Sequence, residues 1–429
     1  MKTPAALIVH SGSSVVVGGL TLTERSILQA HRAGFDPIAV WGPHSLPASS
    51  LARLAARGVH VAVLPPEHPP LSGPTVANEE GGVVVVGANV LLGATAALTD
   101  LVARGTTAGS VGPAVAMSAA GIPLMAYVPA DLVPAITTHR SLESMVGALT
   151  AGRPANALPQ AGRLLRRVEP TEPRAAVERE LIRHTNGKES YFTKKIRRFS
   201  VPFSIVLTRL RLTPTQVTSL GFLVALASSW CIAQGEYLWG VAGGLLCYAS
   251  MVFDCSDGEV ARLSLRDSAF GAWLETVVDY TTYGLLLAAL VVAVDGTPHE
   301  TVYRSAAAIA LIGSLVVAAV AGYLRHRVAA ADPGQFDDAS AEAMGSTGFH
   351  RFARWGRQWI KRSSIAHLVL ALSLVNLLPV LLFLWAFGAS VAAVVIVAVE
   401  PFVVRKVKVT PARVPPLDPS DREGVRSCP

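Results

Sequence analysis

From about Val217 to Val404 the chain runs through long apolar stretches with almost no formal charge. Val217 to Gln234, Tyr237 to Phe253 and Ser305 to Leu324 carry none, Phe270 to Val294 carries Glu275 and Asp279, and Ile365 to Val404 carries Glu400 alone. Hydrocarbon supplies no water to satisfy backbone N–H and C=O groups, so such stretches must satisfy them internally, as helices. The last stretch, 40 residues from Ile365 to Val404, would be roughly 60 Å long as one helix, about twice the hydrocarbon thickness. It therefore has to turn back, most simply near Ala386 to Gly388, and the count becomes six membrane helices.

Loop charge sets the expected orientation. The segment before the first helix, the loop with Arg262 and Arg266, the loop from Arg325 to Arg362 and the tail with Arg405, Lys406 and Lys408 are basic, whereas QGEY and DGTPHET hold no Lys or Arg. Basic loops stay inside. Both chain ends are thus expected in the cytoplasm, in an integral protein of the cytoplasmic (inner) membrane. That rule also accounts for the net charge of +7, because the basic residues flank apolar runs and are not interleaved with exposed aromatics as in a nucleic-acid surface.

With 429 residues, 51% hydrophobic, 16% charged and a mean hydropathy of +0.44, the chain is too apolar for an ordinary soluble protein and long enough for two domains. Its first 180 residues nevertheless read as soluble. MKTPAALIVHSGSS has no long apolar core or cleavage site, so no signal peptide is expected. Cys231, Cys247, Cys255 and Cys428 form no CxxC pair, which argues against a zinc site or disulfide framework.

Over residues 1–150, AALIVH, TLTERSILQAHRAG, PIAVWG, LARLAARG, VHVAVLP and VVVVGANVLLG read as β-α-β-α-β-β, a mostly parallel α/β domain. Residues 151–188 hold the breakers PANALPQ and VEPTEPR and read as a linker with helical pieces. Residues 189–216 mix Lys194, Lys195, Arg197, Arg198, Arg209 and Arg211 with Tyr191, Phe192, Ile196, Phe199, Val201 and Phe203, the pattern of an amphipathic helix in the lipid interface. The all-α six-helix bundle occupies 217–404 and a cytoplasmic tail 405–429.

Ionisable groups at membrane depth cost roughly 2.5–3.5 kcal/mol each on insertion scales, so the acids of the apolar runs demand an explanation. Asp254, Asp257 and Ala261 fall at i, i+3 and i+7, and Gly271, Glu275 and Asp279 at i, i+4 and i+8, each set on one helix face. Four carboxylates in a confined space repel unless cations neutralise them, and an all-oxygen set suits Mg²⁺ or Mn²⁺. Gly258, Ala261 and Gly271 leave room either for a ligand against the backbone or for close helix packing. Arg262 is placed equally to snorkel to the interface or to grip a phosphate.

Together these residues resemble a known family. Asp254-x-x-Asp257-Gly258-x-x-Ala261-Arg262, eight residues, then Gly271-x-x-x-Glu275-x-x-x-Asp279 is similar to the motif of the CDP-alcohol phosphotransferases. LTPTQVT at Leu212 to Thr218 looks like the family's entry to its first helix, with Thr215 where Asn is usual. The resemblance covers roughly residues 190–404. It implies a six-helix fold, often dimeric, that moves a phospho-alcohol group from a CDP-linked donor to an acceptor hydroxyl and releases CMP. It further implies that Asp254, Asp257, Glu275 and Asp279 hold two divalent ions, that Asp279 also acts as general base, and that Gly258, Ala261, Arg262 and Gly271 line the CDP site. Glu275 stands where the family pattern has Asp.

VGGLTLTERSILQAHRAGFDPIAVW resembles the early part of sugar-nucleotidyltransferase-type domains. The phosphate-holding Arg and Lys of such domains are missing from HSGSSVVV, and Asn89 stands where a metal-binding Asp is expected. The expectation is a retained fold without nucleotidyl transfer, with nucleotide binding, regulation or a dimer contact left open. The fusion also resembles bifunctional enzymes that make CDP-inositol and couple it to inositol phosphate; a lipid donor such as CDP-diacylglycerol fits the membrane setting equally. Removal of residues 1 to about 180 is expected to leave transfer intact. Competing classes are a catalytically impaired scaffold or regulator, resting on Glu275 and the eroded N-terminal domain, and a transporter, disfavoured because the acids cluster at one membrane face.

Weaker features are an acidic stretch with Asp332, Asp337, Asp338 and Glu342, read as solvated, and a basic run with His350, Arg351, Arg354, Arg357, Lys361 and Arg362, read as membrane anchoring or acceptor-phosphate binding. Asn376 and Pro379 suggest a kink or polar contact in the fifth helix.

Overall fold

The computed structural model describes residues 4–10, 15–43, 46–65, 67, 82–106, 112–136, 138–151, 155–159, 163–186, 190–328 and 362–406. The acidic stretch, the basic run before Arg362 and most of the HSGSS loop lie outside the described residues. The chain divides into two compact units, the first made of Met1–Glu189, Arg198–Val217 and Cys255–Ala272, the second of Ser190–Arg197, Thr218–Asp254 and Trp273–Pro429.

In the first unit the strands are β1 (Ala5–Val9), β2 (Val16–Val17), β3 (Leu20–Thr21), β4 (Ile38–Trp41), β5 (Ala62–Val63), β6 (Val83–Val86), β7 (Val90–Leu92), β8 (Ala114–Met117), β9 (Pro123–Val128), β10 (Asn156–Ala157) and β11 (Leu165–Arg167). Seven of them form a sheet in the order β10-β8-β9-β6-β1-β4-β5. The β1–β4, β1–β6, β4–β5 and β8–β10 pairs are parallel and β9 runs antiparallel to β6 and β8. The expected mostly parallel sheet is therefore present. Central strands AALIV, IAVW and VVVV are buried on both faces, which is why they read as unbroken apolar runs. Ile8, Val40, Val84 and Val86 enter one core and Leu7, Ala39, Val83 and Val85 the other.

Two local details differ from the sequence reading. VVVVGANVLLG is two strands, because Asn89 takes a left-handed φ of 56°, a conformation that Asn tolerates better than other side chains; β7 then leaves the main sheet and pairs antiparallel with β11. Residues 151–188 supply β10, β11 and the helix Arg174–Thr185, whose Val177, Leu181 and Ile182 are buried. Spacing i, i+4, i+5 gives that helix one apolar stripe.

The helix Leu22–Arg32 begins with a capping box: Thr21 Oγ1 accepts from the Glu24 N–H at 3.2 Å, and Glu24 Oε2 accepts from the Thr21 N–H at 2.8 Å. A further cluster joins Val17, Leu22, Leu91, Val177, Leu181 and Ile182 to Val201 and Ile205 of the amphipathic helix Tyr191–Arg209 and to Leu263. That cluster makes these segments one packed body.

In the second unit and its continuations, four described helices are long and apolar enough to cross a membrane: Pro214–Ala233, Tyr237–Ser264, Ala269–Ala293 and Glu300–Val320. Large apolar side chains such as Leu223, Trp230, Leu238, Leu245, Ile312 and Leu315 are exposed on them, as expected of lipid-facing surface. These helices make the chain an integral membrane protein. The first two are joined by the expected tight turn at Gly235, whose φ is 72°. Thr213 and Gln216 cap the first by exchanging backbone hydrogen bonds, Thr213 N–H to Gln216 Oε1 at 2.9 Å and Gln216 N–H to Thr213 Oγ1 at 3.3 Å.

The final apolar stretch breaks earlier than the sequence reading put it. The helix Arg362–Leu374 stops and the helix Val380–Lys406 begins, so the break lies at 375–379 and not at Ala386–Gly388. Asn376 has a φ of 58° and Pro379 offers no N–H to continue the ladder. Together they end a helix where a kink was expected. Gly388 stays helical, which small residues in packed membrane helices allow; a Cβ on Gly313 would lie 2.9 Å from that of Ala389, a measure of how close the neighbouring helices come.

Candidate active site

The expected acids sit on two consecutive helices. Tyr237–Ser264 carries Asp254, Asp257, Gly258, Ala261 and Arg262, and Ala269–Ala293 carries Gly271, Glu275 and Asp279. Asp257 and Gly258, with Ala261, Arg262 and Gly271, belong to the first unit, while Asp254, Glu275 and Asp279 belong to the second. Asp257 is buried, Asp254 and Asp279 are half-buried and Glu275 is exposed. Among the described residues no three His, Cys, Asp or Glu side chains are grouped closely enough to hold a metal ion. The fit to a divalent cation therefore rests on the donor chemistry, carboxylate oxygens one turn apart on each helix, which suits hard ions.

Around Asp257 the local geometry is tight. Its Oδ1 accepts from the Gly258 N–H at 2.6 Å. A Cβ on Gly258 would lie 3.1 Å from Arg262 Nη1, so the guanidinium occupies the space that glycine leaves. Arg262 Nη2 also donates to Asn186 Oδ1 at 2.8 Å, at the end of the helix Arg174–Thr185. Gly271 lies in the first turn of its helix, where its N–H donates to Ser268 Oγ at 3.0 Å.

Sequence reasoning missed Glu259. It is fully buried, and Ser200 Oγ and Ser204 Oγ of the amphipathic helix donate to its two carboxylate oxygens at 2.9 and 2.6 Å. The available signal was the i, i+4 pair of serines facing an acid in the motif's unassigned positions. A buried carboxylate needs such donors. Glu259→Ala is expected to destabilise the chain by about 1–3 kcal/mol, the effect of stranding buried hydroxyls, towards the low end because helix serines can turn to a carbonyl four residues back. Thermal unfolding in detergent measures it, and an unshifted midpoint would remove Glu259 from the contacts that hold these helices together.

The end of the acid-bearing helix was also missed. Leu265 takes a φ of 50° and the Arg266 N–H donates to the Ala261 carbonyl at 2.9 Å, a Schellman ending with leucine where glycine is usual. That conformation costs a non-glycine residue about 1–2 kcal/mol. Three arginines from the α/β region occupy the helix's last carbonyls. Arg25 Nη1 donates to Leu263 O, Arg57 to Ser264 O and Leu265 O at 3.3 Å, and Arg32 to Leu265 O at 2.8 Å and Asp267 at 2.6 Å. Charged donors to backbone carbonyls contribute about 1.5–3 kcal/mol each where buried, less where exposed, and cations complement a helix C-terminus. Burial, then the neighbouring Arg32, pushes Arg25 down to about 10, still protonated at neutral pH. Gly18, with a φ of 62°, lies so close that a Cβ would overlap the Leu263 carbonyl.

Residues 211–347 match the family model described as CDP-alcohol phosphatidyltransferase. Curated relatives include a bifunctional IPC transferase and DIPP synthase of Aquifex aeolicus, 39% identical over 79 residues, 18% of each chain. The protein of the same name from Thermococcus kodakarensis is 33% identical over 121 residues, 28% of this chain and 26% of the relative. An archaetidylinositol phosphate synthase of Methanothermobacter thermautotrophicus is 38% identical over 96 residues, 22% of this chain and 46% of the relative. The matches thus span less than half the length of these relatives. Among solved structures, Mycobacterium tuberculosis phosphatidylinositol phosphate synthase (PgsA1) with CDP-DAG bound is 23% identical with a TM-score of 0.36, over 51% of this chain and 99% of that one. The same protein in complex with manganese and citrate gives 23% and 0.34, over 50% and 93%.

Proposed function

We propose, from the match of residues 211–347 to the CDP-alcohol phosphatidyltransferase family model, that the protein transfers a phospho-alcohol group from a CDP-alcohol to an acceptor hydroxyl in phospholipid or phospho-polyol biosynthesis. The observation that carries the proposal is the acidic motif itself, Asp254 to Asp279, set on two consecutive helices with glycine at 258 and 271. In the reaction the acceptor oxygen bonds to the phosphorus on the alcohol side of the pyrophosphate. The bond from that phosphorus to the bridging oxygen breaks, CMP leaves with the electron pair, and Asp279 takes the hydroxyl proton.

Asp254, Asp257, Glu275 and Asp279 would hold divalent ions, Mg²⁺ or Mn²⁺. Bound there, such ions supply charge stabilisation to the pyrophosphate and the departing CMP. Gly258, Ala261, Arg262 and Gly271 would line the CDP site: Gly258 lets the Arg262 guanidinium lie against the backbone, where it supplies a cation for phosphate, and Ala261 and Gly271 leave space beside it. The two shorter apolar helices, Ser363–Leu374 and Val380–Val394, complete a six-helix bundle in this reading. Both chain ends and the acids face the cytoplasm, and two copies pair as a homodimer. The α/β region is a nucleotidyltransferase-like domain that has lost its phosphate-holding residues. The inositol phosphate group in the name of the archaetidylinositol phosphate synthase relative makes an inositol phosphate the first acceptor to supply.

The test is CMP release by the purified full chain from CDP-diacylglycerol and from CDP-inositol, each with a panel of acceptors, products being read by mass spectrometry. Release is expected with Mg²⁺ or Mn²⁺, to stop on adding EDTA and to return on restoring the metal. Absence of CMP with every donor would leave the scaffold reading, which the Glu275 replacement favours, in its place.

A further inference from the structure

The spacer between the two halves of the acidic motif, Leu263 to Phe270, is gripped by the α/β region at one end. Three separate segments of that region converge on it: the turn between β2 and β3 at Gly18, the helix Leu22–Arg32 through Arg25 and Arg32, and Arg57 beyond the helix Ala48–Ala55. We infer that the α/β region is a positioning element for the transfer reaction, with Gly18, Arg25, Arg32 and Arg57 fixing the course of the chain from Leu263 to Asp267.

A tethered module would leave this helix end to water. Here Arg25 is only 3% exposed and Leu263 is buried, so neither group has water as an alternative partner. Gly18 meets both conditions that exclude a side chain, a left-handed φ and contact with a backbone carbonyl. Its N–H donates to the buried Glu178 at 3.0 Å, and Arg174 donates to the same carboxylate oxygen at 2.8 Å, so the turn is itself held. Arg262 lies one residue before Leu263 and Gly271 four residues after Asp267. Displacing the spacer would therefore rotate or shift residues to which the proposed reaction assigns the donor. Basic residues absent from the region's phosphate-loop position are present instead at this contact. Transfer is then expected to depend on the first 180 residues, where the modular expectation has it survive their loss.

The inference rests on the transfer reading, and one measurement is independent of it. Hydrogen exchange of the full chain in detergent follows residues 258–272 without any substrate. In Arg25→Met, exchange over 258–272 is expected to rise about tenfold with little change elsewhere. CMP release should fall about tenfold in kcat, the thermal midpoint should drop by a few degrees, and Arg25→Lys should recover part of each. Should Arg25→Met not fold, the double variant Arg32→Gln, Arg57→Gln, at less buried positions, carries the same test. Unchanged exchange over 258–272 overturns the inference, as does faster exchange with undiminished kcat. A wild-type chain that releases no CMP sinks the transfer reading, and exchange then decides alone whether the spacer is held.

Discussion

Asp279→Asn is expected to slow CMP release by roughly 10²–10⁴-fold, the contribution of a positioned general base, while leaving the protein folded. Asparagine has nearly the shape of aspartate, and residue 279 lies in the interior of a 25-residue helix, half-buried, where an amide is tolerated. What the amide lacks is the ability to accept the acceptor's proton and the full charge with which to hold a divalent ion. Both defects act on the chemical step, so kcat should carry the loss and the KM for the CDP donor should move far less. Single-turnover release of CMP at saturating donor separates the two. A rate within tenfold of the unsubstituted chain would remove Asp279 from proton transfer and assign that role elsewhere on the motif.

That Asp279 shares a face with Gly271 and Glu275 was reachable from spacing alone, because helix geometry turns i, i+4 and i+8 into one face whatever surrounds it; its role as general base came from the family resemblance. The same holds for the helices of the apolar runs and for the alternating cores of β1, β4 and β6, where local pattern and burial agree. It fails where one residue outweighs a uniform pattern. Across Ile365 to Val404 apolar character hardly varies, so the position of the break is decided by Asn376 and Pro379, not by the glycine that breaks soluble helices. Asn89 does the same within VVVVGANVLLG. Long-range partnership is least legible of all. Arg25 and Leu263 are 238 residues apart, and nothing in TERSIL says that a buried guanidinium will cap a distant helix. Glu259 is intermediate, since its motif neighbours drew attention but its serine partners lie 59 and 55 residues away.

Glu275 divides a working enzyme from a modified relative, and its variants are expected to separate the two. Glu275→Gln removes a carboxylate from an exposed position of the helix Ala269–Ala293. If that carboxylate holds a divalent ion, release should fall at least about a hundredfold and the metal concentration for half-activity should rise, the range seen when metal sites lose supporting groups being roughly 10–100-fold even outside the direct ligands. Glu275→Asp keeps the charge but withdraws it by one carbon–carbon bond, about 1.5 Å, more than the tolerance of Mg²⁺ coordination at 2.0–2.1 Å. A site built around glutamate should therefore lose activity with aspartate, or shift its preference from Mg²⁺ towards Mn²⁺, in parallel metal titrations of CMP release. If aspartate instead raises activity tenfold or more, the backbone still holds the spacing that the family's aspartate requires. Glutamate would then be a replacement that the site has not accommodated.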